Sequence, residues 1–217
     1  MKGLFVSGTD TNVGKTVVCA ALMHRLRPHT HVRYWKPVQT GIDVDDDAES
    51  VRVLGGCGEA EIVPSAIRLS RPLSPHLAAR LAGRHIELTD LLSHINGTGD
   101  GAHWIIEGAG GALVPLNERE LMVDVMARIA APVLVVARTT LGTINHTLLT
   151  LAALRARSLD IAGVVMVGEP SPENRAAIEQ FGAVPVLGEL PRLERLTTEG
   201  LRQWALGSLD PDGRLLS

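Results

Sequence analysis

The sequence predicts an α/β fold: a mostly parallel central sheet with helices on both faces, in one domain. Three observations lead there. Short β-branched runs alternate with longer segments of helical period along the whole chain. Several of those runs, such as "PVLVVA" at 132–137, are apolar throughout, as in strands covered on both sides. The first run leads through a glycine-bearing loop straight into a helical pattern.

In chain order, strands are expected at 4–7, 32–35, 104–107, 132–137 and 161–167, with a weaker one at 184–187. Helices are expected at 15–26, 47–54, 74–82, 89–95, 119–130, 145–156, 173–181 and 199–205. Ser74-Pro75 and Ser171-Pro172 each place a capping residue before a first-turn proline, a helix-start signal. The chain holds no internal repeat, low-complexity tract or long linker.

Bulk properties narrow the function. With 217 residues, 45% hydrophobic and 21% charged, the chain is sized and composed for one globular domain. A net charge of −3 offers no electrostatic footing for nucleic acid or an anionic membrane. No apolar run approaches the roughly 20 residues of a membrane span, and no secretory signal is apparent. Cys19 and Cys57 show neither a disulfide framework nor metal-ligand spacing. A cytoplasmic location is expected.

The chemistry concentrates in a few stretches. "SGTDTNVGKT" at 7–16 departs from the usual phosphate-binding loop by one residue. Gly14-Lys15-Thr16 is intact, but Gly8 stands one position early and Thr9 occupies the expected glycine's place. Strand, loop and helix N-terminus supply the context for holding a polyphosphate. Lys15 can reach its β/γ oxygens and Thr16 can ligate Mg²⁺. This makes the fold a P-loop NTPase fold. "WIIEGAGG" at 104–111 ends an apolar strand in Glu107, where such proteins put a second magnesium-directed acid. Gly108, Ala109 and Gly110 follow it, and the glycines permit close backbone approach. The acidic run "DVDDDAE" at 43–49 reads either as a solvated loop or as the source of a third oxygen ligand. Asp47 is the candidate, with Asp45 and Asp46 in competition. In "YWKPVQTG" at 34–41, Lys36 should stand at the carboxyl edge of the sheet beside the P-loop, its direction fixed by Pro37. "LGTINHT" at 141–147 opens a helix whose free N–H groups suit a carboxylate. His146 reads as a structural helix residue, because no carboxylate or nucleophile is spaced to work with it.

Taken together, "GTDTNVGKT", "KPVQTG", "SPH" at 74–76, "EGAGG", "LGTINH" and "LGELP" at 187–191 resemble the dethiobiotin synthetase family in order and spacing, from residue 3 to about 195. The resemblance implies a homodimeric, ATP- and Mg²⁺-dependent cyclo-ligase of biotin biosynthesis. 7,8-Diaminononanoate takes up CO₂ (or bicarbonate) as a carbamate, ATP phosphorylates it, and the neighbouring amine closes the ureido ring. It further implies that Thr11, Asn12, Val13, Gly14, Lys15, Thr16 and Val17 hold the ATP phosphates, and that Thr16, Asp47 and Glu107 hold the magnesium. By resemblance Lys36 and Lys15 are the catalytic lysines and Thr40 contacts the diamine. Gly142, Thr143, Ile144 and Asn145 would hold the substrate's distant carboxylate across the dimer interface. Pro191, Arg192 and Leu193 would lie near the base or ribose.

One departure concerns the base. Many members carry an asparagine at the end of the fifth main strand, where this chain has Val167 and Gly168. Relaxed nucleotide choice is expected, with CTP or GTP partly replacing ATP. Two other readings compete. A P-loop amidoligase of the cobyrinic acid type needs an ammonia source for which the chain has no domain. A partition-type ATPase switch carries an additional early lysine in its loop, which "GTDTNVGKT" lacks.

Overall fold

The computed structural model describes residues 2–95, 101–193 and 195–216. In chain order the elements are β1 (Gly3–Gly8), α1 (Lys15–Leu26), β2 (Val32–Trp35), β3 (Val38–Thr40) and α2 (Asp47–Leu54). Then come β4 (Ile62–Val63), β5 (Ile67–Leu69), α3 (Pro75–Leu81), α4 (Leu88–Ser93), β6 (His103–Gly111) and α5 (Met122–Ile129). The chain closes with β7 (Val133–Arg138), α6 (Thr143–Arg155), β8 (Ile161–Val167), α7 (Pro172–Gly182), β9 (Val186–Leu190) and α8 (Thr198–Ser208).

Seven strands form one sheet in the order β4-β2-β6-β1-β7-β8-β9, and every pairing in it is parallel. β1 is central, between β6 and β7. Because side chains alternate along a strand, each strand feeds two cores. Leu4, Val6, Tyr34, Ile105, Leu134 and Val136 pack under α1, α2 and α8. Phe5, Trp35, Ile106, Val133, Val135 and Met166 pack against the helices of the opposite face. The expected layered architecture is present.

Several local expectations change. The strand expected at 104–107 runs on to Gly111, because Gly111 pairs with Gly8 beyond an irregularity after Val6. Glu107 is therefore inside a strand rather than at its end. The weak strand expected at 184–187 lies at Val186–Leu190, paired with β8. Three short strands were not legible: β4 at the sheet edge, and β3 with β5, which form a separate two-stranded parallel sheet. Ser74 and Ser171 do precede first-turn prolines, but neither side chain makes a capping hydrogen bond. Among the described residues, no helix is long and apolar enough to cross a membrane.

Candidate active site

A parallel sheet delivers the loop after every strand to one edge, where ligands of such folds bind. Here the loops following β1, β2 and β6 surround a cavity of about 780 Å³. Thr11, Asn12, Gly14, Lys15, Thr16 and Val17 line it from the first loop, with Lys36, Thr40 and Asp47 from the β2–α2 segment and Glu107, Ala109 and Gly110 from β6.

The first loop bends sharply. Asn12 has φ 58 and Gly14 has φ 100, both in the left-handed region. Gly14 is the N-cap of α1 and uses no side chain to cap it, so the helix's first N–H groups stay available to an anion. A Cβ at Gly14 would also come within 3.0 Å of Val167. Lys15 donates to the Asp10 carbonyl at 2.9 Å, folding the loop back on itself.

At the floor, charges are tightly coupled. Lys36 donates to Glu107 Oε1 at 2.8 Å and to Asp47 Oδ2. The Thr16 hydroxyl lies 2.8 Å from Asp47 Oδ1 and 3.0 Å from Glu107 Oε1. It has one proton for these two carboxylates. Hydroxyl and carboxylate oxygens converging with a proton too few form the hard donor set that Mg²⁺ prefers, so the residues fit that ion. Tyr34 donates to the other Glu107 oxygen, Oε2, at 2.9 Å.

The ionisation of these groups follows from their surroundings. Burial alone would lower the Lys36 pKa, but Glu107 and Asp47 outweigh it and hold it above the ordinary lysine value. Lys15 goes the other way. Burial lowers its pKa and the Lys36 charge adds to that, offset only in part by Glu107 and Asp47. Burial would raise Asp47, yet Lys36 and the Thr16 hydroxyl bring it below the usual aspartate value. Burial and the Glu107 charge push the Tyr34 phenol well up, so it remains a hydrogen-bond donor.

The three aspartates of the acidic run have different partners. Asp46 caps α2 by accepting from Ala48 and Glu49 N–H and pairs with Arg68 at 2.8 Å. Asp45 lines the cavity, and its carbonyl accepts from Gln39. Only Asp47 reaches Thr16 and Lys36.

Other expected site residues stand apart. Val13 is buried in the core under α1, and Gly108 lies against Phe5, where a Cβ would approach to 2.9 Å. Neither lines the cavity. Val167 packs on Gly14, and Gly168 has φ 134 with Thr139 Oγ1 only 2.3 Å from a built Cβ. An asparagine at 168 would collide there. Pro191 and Leu193 are half-buried and Arg192 is exposed, beyond β9. Gly142, Thr143, Ile144 and Asn145 do not line the cavity. Thr143 is buried with its hydroxyl donating to the Arg138 carbonyl, Ile144 packs on the core, and Gly142 and Asn145 are exposed. Sequence reasoning overlooked Gln39, which lines the cavity, and Tyr34. The period-two spacing of Tyr34 in β2 and Lys36 just past its end was the signal that could have found Tyr34.

A family profile described as an AAA domain matches residues 2–200. The "ATP-dependent dethiobiotin synthetase BioD" of Agrobacterium fabrum is 50% identical over 198 residues, covering 91% of this chain and 90% of the relative. Those of Rhodopseudomonas palustris and Paramagnetospirillum magneticum are 47% and 49% identical, each over at least 91% of both chains. The chain belongs to the ATP-dependent dethiobiotin synthetase family. Among solved structures, a ParA family ATPase from Chlorobium tepidum has a TM-score of 0.58 at 13% identity, covering 94% of this chain and 98% of its own. A chain of a MinC–MinD cell-division protein complex from Aquifex aeolicus has a TM-score of 0.57 at 13% identity, covering 94% of this chain and 86% of its own. At that identity the likeness is one of fold alone.

Proposed function

We propose that this chain is an ATP-dependent dethiobiotin synthetase, closing the ureido ring of dethiobiotin from 7,8-diaminononanoate and CO₂ with release of ADP and phosphate. The observation that carries this reading is the convergence of Lys15, Lys36, Thr16, Asp47 and Glu107 on one cavity, in a chain 50% identical to a curated dethiobiotin synthetase.

The chemistry asks for such a set. A carbamate is a poor electrophile until one of its oxygens leaves as phosphate, and forming the mixed anhydride brings two anions together. Thr16, Asp47 and Glu107 would hold Mg²⁺, which supplies a positive centre for the phosphate oxygens. The first N–H groups of α1 and the Lys15 ammonium bind the polyphosphate, and Lys15 steadies the transferring group. Lys36 presents a second cation, oriented by Glu107, to the carbamate oxygen. Thr40, which also lines the cavity, holds a diamine nitrogen by its hydroxyl.

The substrate's distant carboxylate is assigned to Gly142, Thr143, Ile144 and Asn145 of a second copy of this chain. Two facts support that homodimer. None of the four lines the cavity of its own chain, and Leu141 beside them is 98% exposed. The same reading puts the reaction in the cytoplasm, away from membranes and nucleic acid.

The deciding experiment is phosphate release with and without diamine and bicarbonate. Release that depends on both is expected; equal turnover without the diamine would favour an ATPase switch instead. For the nucleotide, Val167 and Gly168 offer the base no side-chain amide, so CTP and GTP should support the reaction. Comparing kcat/KM for the four triphosphates checks this; a preference for ATP beyond roughly a thousandfold, about 4 kcal/mol, contradicts it.

A further inference from the structure

Glu107 divides its two oxygens between two environments. Oε1 faces Thr16 and Lys36 at the cavity floor, at 3.0 and 2.8 Å. Oε2 points into the protein and accepts the Tyr34 hydroxyl at 2.9 Å. Tyr34 is fully buried and Glu107 is 1% exposed. The parallel register explains the meeting. Tyr34 on β2 stands opposite Ile105 on β6, so Glu107, two residues on, projects from the same face.

A glutamate's terminal torsion is broad and roughly two-fold, so packing alone does not decide which oxygen faces outward. A donor on one oxygen does decide it, and also satisfies an acceptor whose burial without a partner would cost free energy. Nothing in the proposed chemistry uses Tyr34 directly.

We propose that Tyr34 is a positioning residue for Glu107: its buried hydroxyl pins Oε2, so that Oε1 is the oxygen presented to Thr16, Lys36 and a divalent cation. This rests on the reading of Glu107 as a metal ligand. Groups that hold a metal ligand from behind commonly change metal affinity by about 10–100-fold when removed.

The test uses Mn²⁺ binding, followed by electron paramagnetic resonance on the full chain with ADP. Tyr34→Phe keeps the packed ring and removes only the hydroxyl. Mn²⁺ affinity should fall about tenfold. Glu107→Gln should weaken Mn²⁺ strongly, and adding Tyr34→Phe to it should change nothing further. A Tyr34→Phe protein with a lower Tm but parental Mn²⁺ affinity would leave Tyr34 a purely structural residue and overturn the proposal. If Glu107→Gln binds Mn²⁺ like the parent, the metal reading of Glu107 itself fails and takes the proposal with it.

Should Tyr34→Phe not fold, the unaltered chain supplies a second arm, because Tyr34 is the only tyrosine. Incorporated 3-fluorotyrosine then gives a single ¹⁹F line. With ADP present, that line should shift as Mg²⁺ is added, saturate with it, and stay still in Glu107→Gln. A line unmoved while Mg²⁺ saturates the parent would sink the proposal.

Discussion

Two helices of this protein begin in the same way and end up with different surroundings. α1 follows β1 and α6 follows β7, and these two strands are parallel neighbours at the middle of the sheet. Each helix has a left-handed glycine as N-cap, Gly14 at φ 100 and Gly142 at φ 93, and neither uses a side-chain cap. α1 thus leaves its first N–H groups free for an anion, whereas at α6 the Thr143 N–H already donates to the Thr140 carbonyl at 3.1 Å. Around α1, which itself carries Lys15 and Thr16, the end of β2 together with α2 and β6 brings Lys36, Asp47 and Glu107 into one cavity. At the start of α6 Leu141 is 98% accessible, and the nearby charges are Arg138 and its ion-pair partner Asp10, 3.8 Å away. The backbone device supplies a site for negative charge. What it can do chemically depends on the strands beside it.

The largest expected effects are at the two lysines. Lys15→Ala and Lys36→Ala should each lower turnover by about a thousandfold or more, some 4 kcal/mol of barrier. Stability should separate them. Lys15 bonds only a carbonyl and is penalised by burial, so its removal leaves Tm nearly unchanged. Lys36 stands between Asp47 and Glu107, and its removal leaves the buried Glu107 and the half-buried Asp47 carboxylates without their cation, a loss of about 3–5 kcal/mol. The Lys36 pKa is raised on folding. Its stabilisation is therefore present below the ordinary lysine value and is lost only as pH rises through the folded value. Thermal melts of both variants at neutral pH check the contrast. Equal Tm losses would mean that Lys36 is not bound as described.

Next come the two caps. Alanine at Gly14 or Gly142 meets the same left-handed strain, about 1–2 kcal/mol. Only at Gly14 does the new methyl also meet a neighbour, Val167 at 3.0 Å; at Gly142 the nearest atom is Arg138 Nη2 at 3.9 Å. Gly142→Ala should lower Tm by about 2–8 °C. Gly14→Ala should lower it further and weaken ATP binding, which Gly142→Ala leaves alone. Matching losses of ATP affinity would break the distinction between the two helix ends.

The sequence made one of these regions far more legible than the other. α1, α2, β2 and β8 lie where periodicity and glycine punctuation put them, because long apolar repeats bounded by clear breakers are decided locally. β3, β4 and β5 hold only two or three residues each and exist by pairing with distant partners, which no local pattern encodes. "GAGG" reads as a turn, yet it continues β6 because Gly111 finds Gly8 across the sheet. Lys15, Thr16, Lys36 and Glu107 were visible as residue types at strand and helix ends. Which aspartate of 45–47 joins them was not, since that depends on Asp46 turning back to cap α2 and sending Asp47 inward.

α2 offers the smallest and most specific test, because its N-terminus is closed by a side chain instead of a glycine. Asp46 Oδ1 accepts from Ala48 N at 3.0 Å and Glu49 N at 3.3 Å, while Oδ2 pairs with Arg68. Burial would raise its pKa, but the Arg68 hydrogen bond and the helix N–H groups outweigh it and hold it below the usual value of 3.8. A carboxylate lowered on folding stabilises above its unfolded pKa, and that contribution disappears as pH falls through the folded value. With side chains 32% and 43% exposed, the Asp46–Arg68 pair is screened by solvent and should contribute below about 1 kcal/mol. Asp46→Asn keeps the capping oxygen and loses only this pair. Its Tm should fall by no more than about 4 °C at pH 7 and match the parent in acid. Asp46→Ala loses the cap as well, about 1 kcal/mol more, and should loosen Asp47 from Thr16. If the asparagine variant were as damaging as alanine at neutral pH, the ion pair rather than the cap would be what sets Asp47 at the floor of the cavity.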